Sequence, residues 1–163
     1  MKYLELAETK SLPRVASIQN AYNLVNRGFE IGLSEVAMHE QVGLLAYSPL
    51  AQGTLTGKYL GGQMPQGSRL ALFGDGPLMM RYKGDKTQQA IEMYVNLAKK
   101  YEIDPAQLAI QFCNIQPFVT STIIGATTME QLKENIESVN INLTNELIKD
   151  LNEIQKIYPN PCP

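Results

Sequence analysis

Three short clusters in this 163-residue sequence carry side chains suited to chemistry, and each stands at or near the end of an apolar run. They are the amide pair Gln19-Asn20, the aromatic Tyr47 with Ser48, and the turn Gly125-Ala126-Thr127. The turn is the most suggestive physically. A glycine lets backbone approach a ligand closely, and the free N–H groups of a following helix favour a phosphate. These groups suit binding, but they do not assemble a reaction. His39 is the single histidine and lies in a helix pattern from Gly32 to Gln41, where it reads as a solvated imidazole and leaves no His pair for a metal. No strand-end carboxylate pairs with another, so a two-carboxylate hydrolytic site has no support. Cys113 sits among Ile110, Phe112 and Ile115 and reads as buried and inert. Cys162, in the terminal Pro-Cys-Pro, reads as exposed, and the two cysteines fit no metal or redox spacing. No nucleophile with an identifiable general base follows from these residues.

The elements that must position these groups alternate between short apolar runs and longer amphipathic ones. Val15–Asn20, Leu44–Leu50 and Thr120–Ala126 read as strands, and their near-continuous apolar character predicts cover on both faces. Helix starts are marked by Asp104-Pro105, by the capping-box spacing Thr128 to Gln131, and by Thr144. Three stripes at helical spacing are expected to face inward: Ala90, Ile91, Tyr94, Val95 and Ala98; Met129, Leu132, Ile136 and Val139; Leu147, Ile148, Leu151 and Ile154. The predicted order is helix, strand, helix, strand, long loop, two helices, strand, two helices. Such alternation argues for βα units and a parallel sheet, an α/β fold. The irregular stretch 61–84 is about twice the usual loop length, and its place after a strand's carboxyl end favours a functional role.

Composition narrows the partners. The chain is 44% hydrophobic and 18% charged, with a formal net charge of -2. That balance gives no electrostatic footprint for a nucleic-acid backbone or an anionic membrane surface. No apolar run approaches the ~18 residues of a membrane-spanning helix, and the first residues do not open as a signal peptide. The expectation is a cytoplasmic protein with reduced thiols.

Longer segments carry a resemblance. Ala46–Tyr59 (AYSPLAQGTLTGKY) and Ser121–Ile136 (STIIGATTMEQLKENI) resemble the two cofactor-binding segments of the aldo-keto reductases. Ser17–Arg27 (SIQNAYNLVNR) resembles the strand and turn that precede them, and the likeness to the family's Tas-like bacterial branch runs through essentially the whole chain. The resemblance implies a partial (β/α)8 TIM barrel: the carboxy-terminal half, residues 1–163, with about three parallel strands, surrounding helices and 61–84 as a long cofactor-side loop. It implies the cofactor NADP(H), used in this family without a metal to reduce aldehydes and ketones. By the same resemblance, Gln19 would hydrogen-bond the nicotinamide carboxamide and Tyr47 would stack under its ring. Ser48, Leu50 and Gln52 would line the pyrophosphate path, with Lys58 and Arg69 supplying positive charge. Gly125 and Thr127 would meet the phosphate of the adenosine ribose, and Gln131, Glu134 and Asn135 would hold the adenine side from one helix face.

The sequence departs from the family in two places. Members that strongly prefer NADPH often carry Arg or Lys near the segment matched by Gly125–Gln131; here Lys133 is the nearest cation, which leaves room for NAD(H). The family's catalytic Asp, Tyr, Lys and His sit on its first four βα units, and no residue of this sequence matches them. Tyr22 and Tyr47 do not fit that motif, and a phenol without Lys and His neighbours keeps a pKa near ~10 and donates protons poorly at neutral pH. The expectation is therefore a truncated or split oxidoreductase, inactive as this chain alone, whose partner is either a complementing amino-terminal half or another copy meeting its exposed strand edges. A non-catalytic NADP(H)-binding or interaction module is the alternative.

Overall fold

The computed structural model describes residues 1–162 apart from Asp75, with only the backbone of Leu78. Three parallel strands, β1 (Ser17–Ala21), β2 (Gly43–Tyr47) and β3 (Val119–Thr122), form one sheet in the order β1-β2-β3. Around them run α1 (Lys2–Thr9), α2 (Leu33–His39), α3 (Arg69–Phe73), α4 (Pro77–Met80), α5 (Asp85–Lys100), α6 (Pro105–Asn114), α7 (Met129–Glu137) and α8 (Asn145–Ile157). The strands are shorter than the apolar runs that announce them. No described helix is long and apolar enough to cross a membrane.

Local chemistry explains the helix starts. The Asp104 carboxylate accepts from the amides of Ala106 (2.8 Å) and Gln107 (3.1 Å), with Pro105 at the first helical position of α6. The hydroxyl of Thr144 accepts from Leu147 N–H, and that of Thr128 from Gln131 N–H, each at 3.2 Å. The reciprocal half of the expected box is displaced by one residue. Gln131 Oε1 accepts from the amide (3.0 Å) and hydroxyl (3.1 Å) of Thr127.

The register sets two unlike faces. Ser17 pairs with Gly43 and Ala21 with Tyr47, while Leu45 stands opposite Ser121 and Ala46 opposite Thr122. Since in-register parallel neighbours point the same way, Leu44 and Ala46 lie on the helix-covered face and are wholly buried. They join the core with Ile91, Tyr94, Val95 and Ala98 of α5, Leu108 and Phe112 of α6, and Leu147 and Leu151 of α8. The opposite face carries Gln19, Leu45, Tyr47 and Ser121, and of these only Leu45 is even half-buried. Ala21, which pairs with Tyr47, is buried at the end of that face, but most of the face is exposed among the described residues, unlike the two covered faces the apolar runs suggest.

Three further expectations are corrected. The 129–139 stripe faces mostly outward: Met129 is 77% exposed, Ile136 57% and Val139, just past α7, 62%, while Leu132 is half-buried. Asn135 and Ser138 are the buried residues of this segment, because the α7 backbone is tied through Glu134 O to Gln107 Nε2 (3.0 Å) and the Asn135 carboxamide donates to Gly125 O. Periodicity tells which residues share a face, not which face meets the core. Cys162 is buried, only 2% exposed. The terminal segment is strapped down by Arg27 N–H to Asn160 Oδ1 (2.7 Å), Thr87 Oγ1 to Pro161 O (2.7 Å) and Cys162 N–H to Val25 O (3.1 Å). Finally, the 61–84 stretch is not structureless, since it holds α3 and α4; Asp75 within it lies outside the described residues.

Candidate functional site

Tyr47 ends β2 at the carboxyl rim of the sheet, with its side chain facing the open side and 39% exposed. Beyond it the backbone makes an unusual turn. Ser48 (φ 55°), Ala51 (φ 49°) and Gln52 (φ 60°) are all left-handed non-glycine residues, each carrying a cost of roughly 1–2 kcal/mol. Clustered strain of this kind is kept where the surroundings over-determine it, and it concentrates at ligand sites. Gln52 Nε2 donates to Ser48 Oγ (3.2 Å), which leaves the serine O–H free to donate outward. Gln52 Oε1 is buried with no partner among the described residues. An orphaned acceptor beside a free hydroxyl donor fits a ligand offering both, as a ribose hydroxyl beside a phosphate does.

Of the cations expected here, Lys58 lies close to that turn. Lys58 crosses Gly53 so tightly that a Cβ there would stand 3.1 Å from Lys58 Nζ, and Gly53 also has a positive φ (91°). Its ammonium lies 5.2 Å from the centroid of the Tyr59 ring. The Tyr59 hydroxyl accepts from Leu70 N–H (3.3 Å), which draws the start of α3, with the exposed Arg69, toward the same loop. Leu50 is half-buried and packs against the core.

At the third strand's rim, a Cβ on Gly125 would meet no atom within 4 Å, so the backbone there is open to an approaching group. Thr127, Gln131 and Glu134 are exposed around it. Asn135, grouped with Gln131 and Glu134 by the resemblance, instead turns inward and donates to Gly125 O at 3.4 Å. Its place is under the turn, not on the solvent face. Gln19 is exposed, on the same sheet face as Tyr47.

Two groups escaped the reading of the sequence. Asn23 is wholly buried beneath the Tyr47–Ser48 rim, and a buried turn Asn looks in sequence like any solvated one. Arg27 and Glu30 form a two-bond ion pair (2.7 and 2.9 Å), with Tyr22 donating to the same carboxylate and Arg27 stacked over Phe112. Burial opposes the Arg27 charge, but the hydrogen bond and charge of Glu30 outweigh it and hold its pKa above the usual value. Burial, with Glu30 second, pushes the Tyr22 phenol well above its ordinary pKa, so it is no acid for this site. Burial also raises Tyr82, up to about 12. His39 is solvated on α2, and among the described residues no group of three or more His, Cys, Asp or Glu is placed to hold a metal.

The three parallel strands carry an exposed ring, a strained polar turn and an open glycine turn at their carboxyl ends, an α/β arrangement. The family model for the Aldo/keto reductase family matches residues 1–156, and the chain belongs to that family. It is 49% identical over 163 residues to Protein tas of Escherichia coli K12, covering 100% of this chain and 46% of that protein. An aldo-keto reductase of Babesia bovis is 34% identical over 99% of this chain and 58% of its own length. L-glyceraldehyde 3-phosphate reductase of E. coli K12 is 36% identical over 88% of this chain and 41% of its own length. The chain therefore spans about half the length of the curated relatives it matches.

Proposed function

We propose that this chain is the cofactor cradle of an NADP(H)-dependent carbonyl oxidoreductase, without the proton-transfer groups that complete the reaction. The observation that supports it most directly is the left-handed Ser48–Gln52 turn, with an orphaned buried acceptor beside a free hydroxyl, set between Tyr47 and Lys58. Tyr47 would give the nicotinamide a flat apolar platform, and Gln19 would orient its carboxamide. Ser48 and Gln52 would satisfy a phosphate oxygen and a ribose hydroxyl, while Lys58 and Arg69 would balance the pyrophosphate charge. The turn at Gly125 and Thr127, with Gln131 and Glu134, would take the adenosine end; Asn135 would shape that turn from below. NAD(H) is the competing ligand, since Lys133 is the nearest cation on α7. When bound, the cofactor supplies the hydride; the proton must come from elsewhere, because Tyr22 is sealed in the core. The remaining strands and the acid would come from a complementing segment or partner chain.

Titration with NADPH, followed by fluorescence or calorimetry, tests the cradle. Binding in the micromolar range is expected, weakened roughly tenfold by Tyr47→Ala if the lost stacking is worth about 1.4 kcal/mol. No aldehyde reduction by the chain alone is expected. Turnover across a broad aldehyde panel, abolished by Tyr47→Ala, would defeat the inactive-alone reading, and a chain that ignores both NADPH and NADH would defeat the cradle itself.

A further inference from the structure

The Ser48 turn poses a question that its own residues do not answer. Ser48 holds φ at 55°, which its Cβ opposes, and it precedes Pro49, which drives the preceding residue toward extended backbone. Two steric preferences therefore pull Ser48 out of this conformation, and something must hold it in.

We infer that Asn23 is a positioning residue for the cofactor, clamping the Ser48 carbonyl so that the 48–52 backbone stays left-handed; this rests on the cradle reading above. Asn23 is wholly buried, and its Nδ2 donates to Ser48 O at 2.9 Å. The same carbonyl accepts from Ala51 N–H at 2.9 Å, so both of its lone pairs are used. Asn23 is itself rigid. Its Oδ1 accepts from Val25 N–H (3.0 Å), and its backbone N–H and C=O are both paired with Asn26 (3.1 and 3.0 Å). The β1 end is joined to the β2 end just before the turn, through Tyr22 N–H to Tyr47 O (3.3 Å). A residue after β1 thus fixes the peptide that follows β2. If Ser48 relaxed to extended backbone, its carbonyl would leave Asn23 Nδ2 buried and unpaired, which is costly enough to oppose the change. Asn23 is wholly buried, and it acts through Ser48.

The test is Asn23→Asp, which keeps an acceptor for Val25 N–H and replaces the donor to Ser48 with an oxygen. Hydrogen exchange on the ligand-free chain is expected to quicken at least tenfold for the turn amides 51–57 and to stay unchanged in α8. NADPH affinity is expected to fall about tenfold, while that of adenosine 2′,5′-bisphosphate, which lacks the nicotinamide half, holds. An unchanged turn, or equal quickening throughout, overturns the clamp; so does an equal loss of both ligands. If the unsubstituted chain binds no NADPH, the cradle reading fails while the exchange measurement still decides the clamp. Should the variant not fold, the Asn23 Nδ2 protons of the unsubstituted chain decide by NMR. Exchange as slow as that of Ala51 N–H supports the clamp, and free exchange with water overturns it.

Discussion

At the scale of single residues, burial decides what each ionisable group does. The sequence offers two thiols, and the structure disarms both. Cys113 is fully enclosed, and burial raises its pKa far above the thiol range. Cys162 is pushed up to about 11 by burial, with Arg81 pulling weakly the other way. An unfolded cysteine titrates near ~8.5, so the folded state favours the protonated form. The stabilisation is therefore complete below about pH 8.5 and lost as pH rises through about 11 at Cys162. Two outcomes follow. At pH 8 neither thiol should react with a disulfide reagent until denaturant unfolds the chain, when both react. Denaturant midpoints should also fall between pH 8.5 and 11, less so in Cys162→Ala. Rapid labelling of one thiol in the native chain would place Cys162 in solvent and undo the strap that holds it.

At the scale of elements, the parts written locally were legible and the parts set by distant neighbours were not. Asp104-Pro105, Thr128 and Thr144 announce helix starts because each cap acts within three residues, and all three caps form. The α5 and α8 stripes point inward as read. The α7 stripe has the same spacing yet faces mostly out, because bonds from Gln107 and to Gly125 fix the helix rotation, and those are tertiary. The Tyr47, Ser48 and Gly125 rim could be found from strand ends, whereas Asn23 could not, since its role depends on β1 and β2 lying side by side. Removing a local cap should cost what local caps cost. Asp104→Ala frees two amides at the start of α6, which carries five buried residues. A loss of about 1 kcal/mol is expected, read as a lower denaturant midpoint at unchanged slope, and Asp104→Asn should recover most of it. A variant as stable as the parent would show that packing alone fixes α6.

At the scale of the whole molecule, one face of the sheet is closed and the other is open. Leu44 and Ala46 are sealed under helices, while Tyr47 and Gln19 look out on the far side, and β1 and β3 end the sheet with unpaired edges among the described residues. The α7 stripe of Met129, Ile136 and Val139 adds apolar surface on the outside. Parallel sheets are normally covered on both faces, and bare edges invite further strands. A barrel of eight strands leaves neither, and this chain contributes three of them while spanning 46% of Protein tas. Two copies give six strands, so self-pairing does not close the ordinary ring, but it does hide edges and apolar surface. The chain alone should therefore associate. Light scattering at tens of micromolar should report masses above 18.1 kDa that fall on dilution. Ile136→Lys, on the exposed α7 stripe, should lower the associated mass while helical circular dichroism is kept. Co-expression with a segment supplying the remaining strands should do the same and yield one defined complex. A monomer of constant mass with a single sharp melt would mean that the open face is stable in water, and would favour an independent NADP(H)-binding module over half of a barrel.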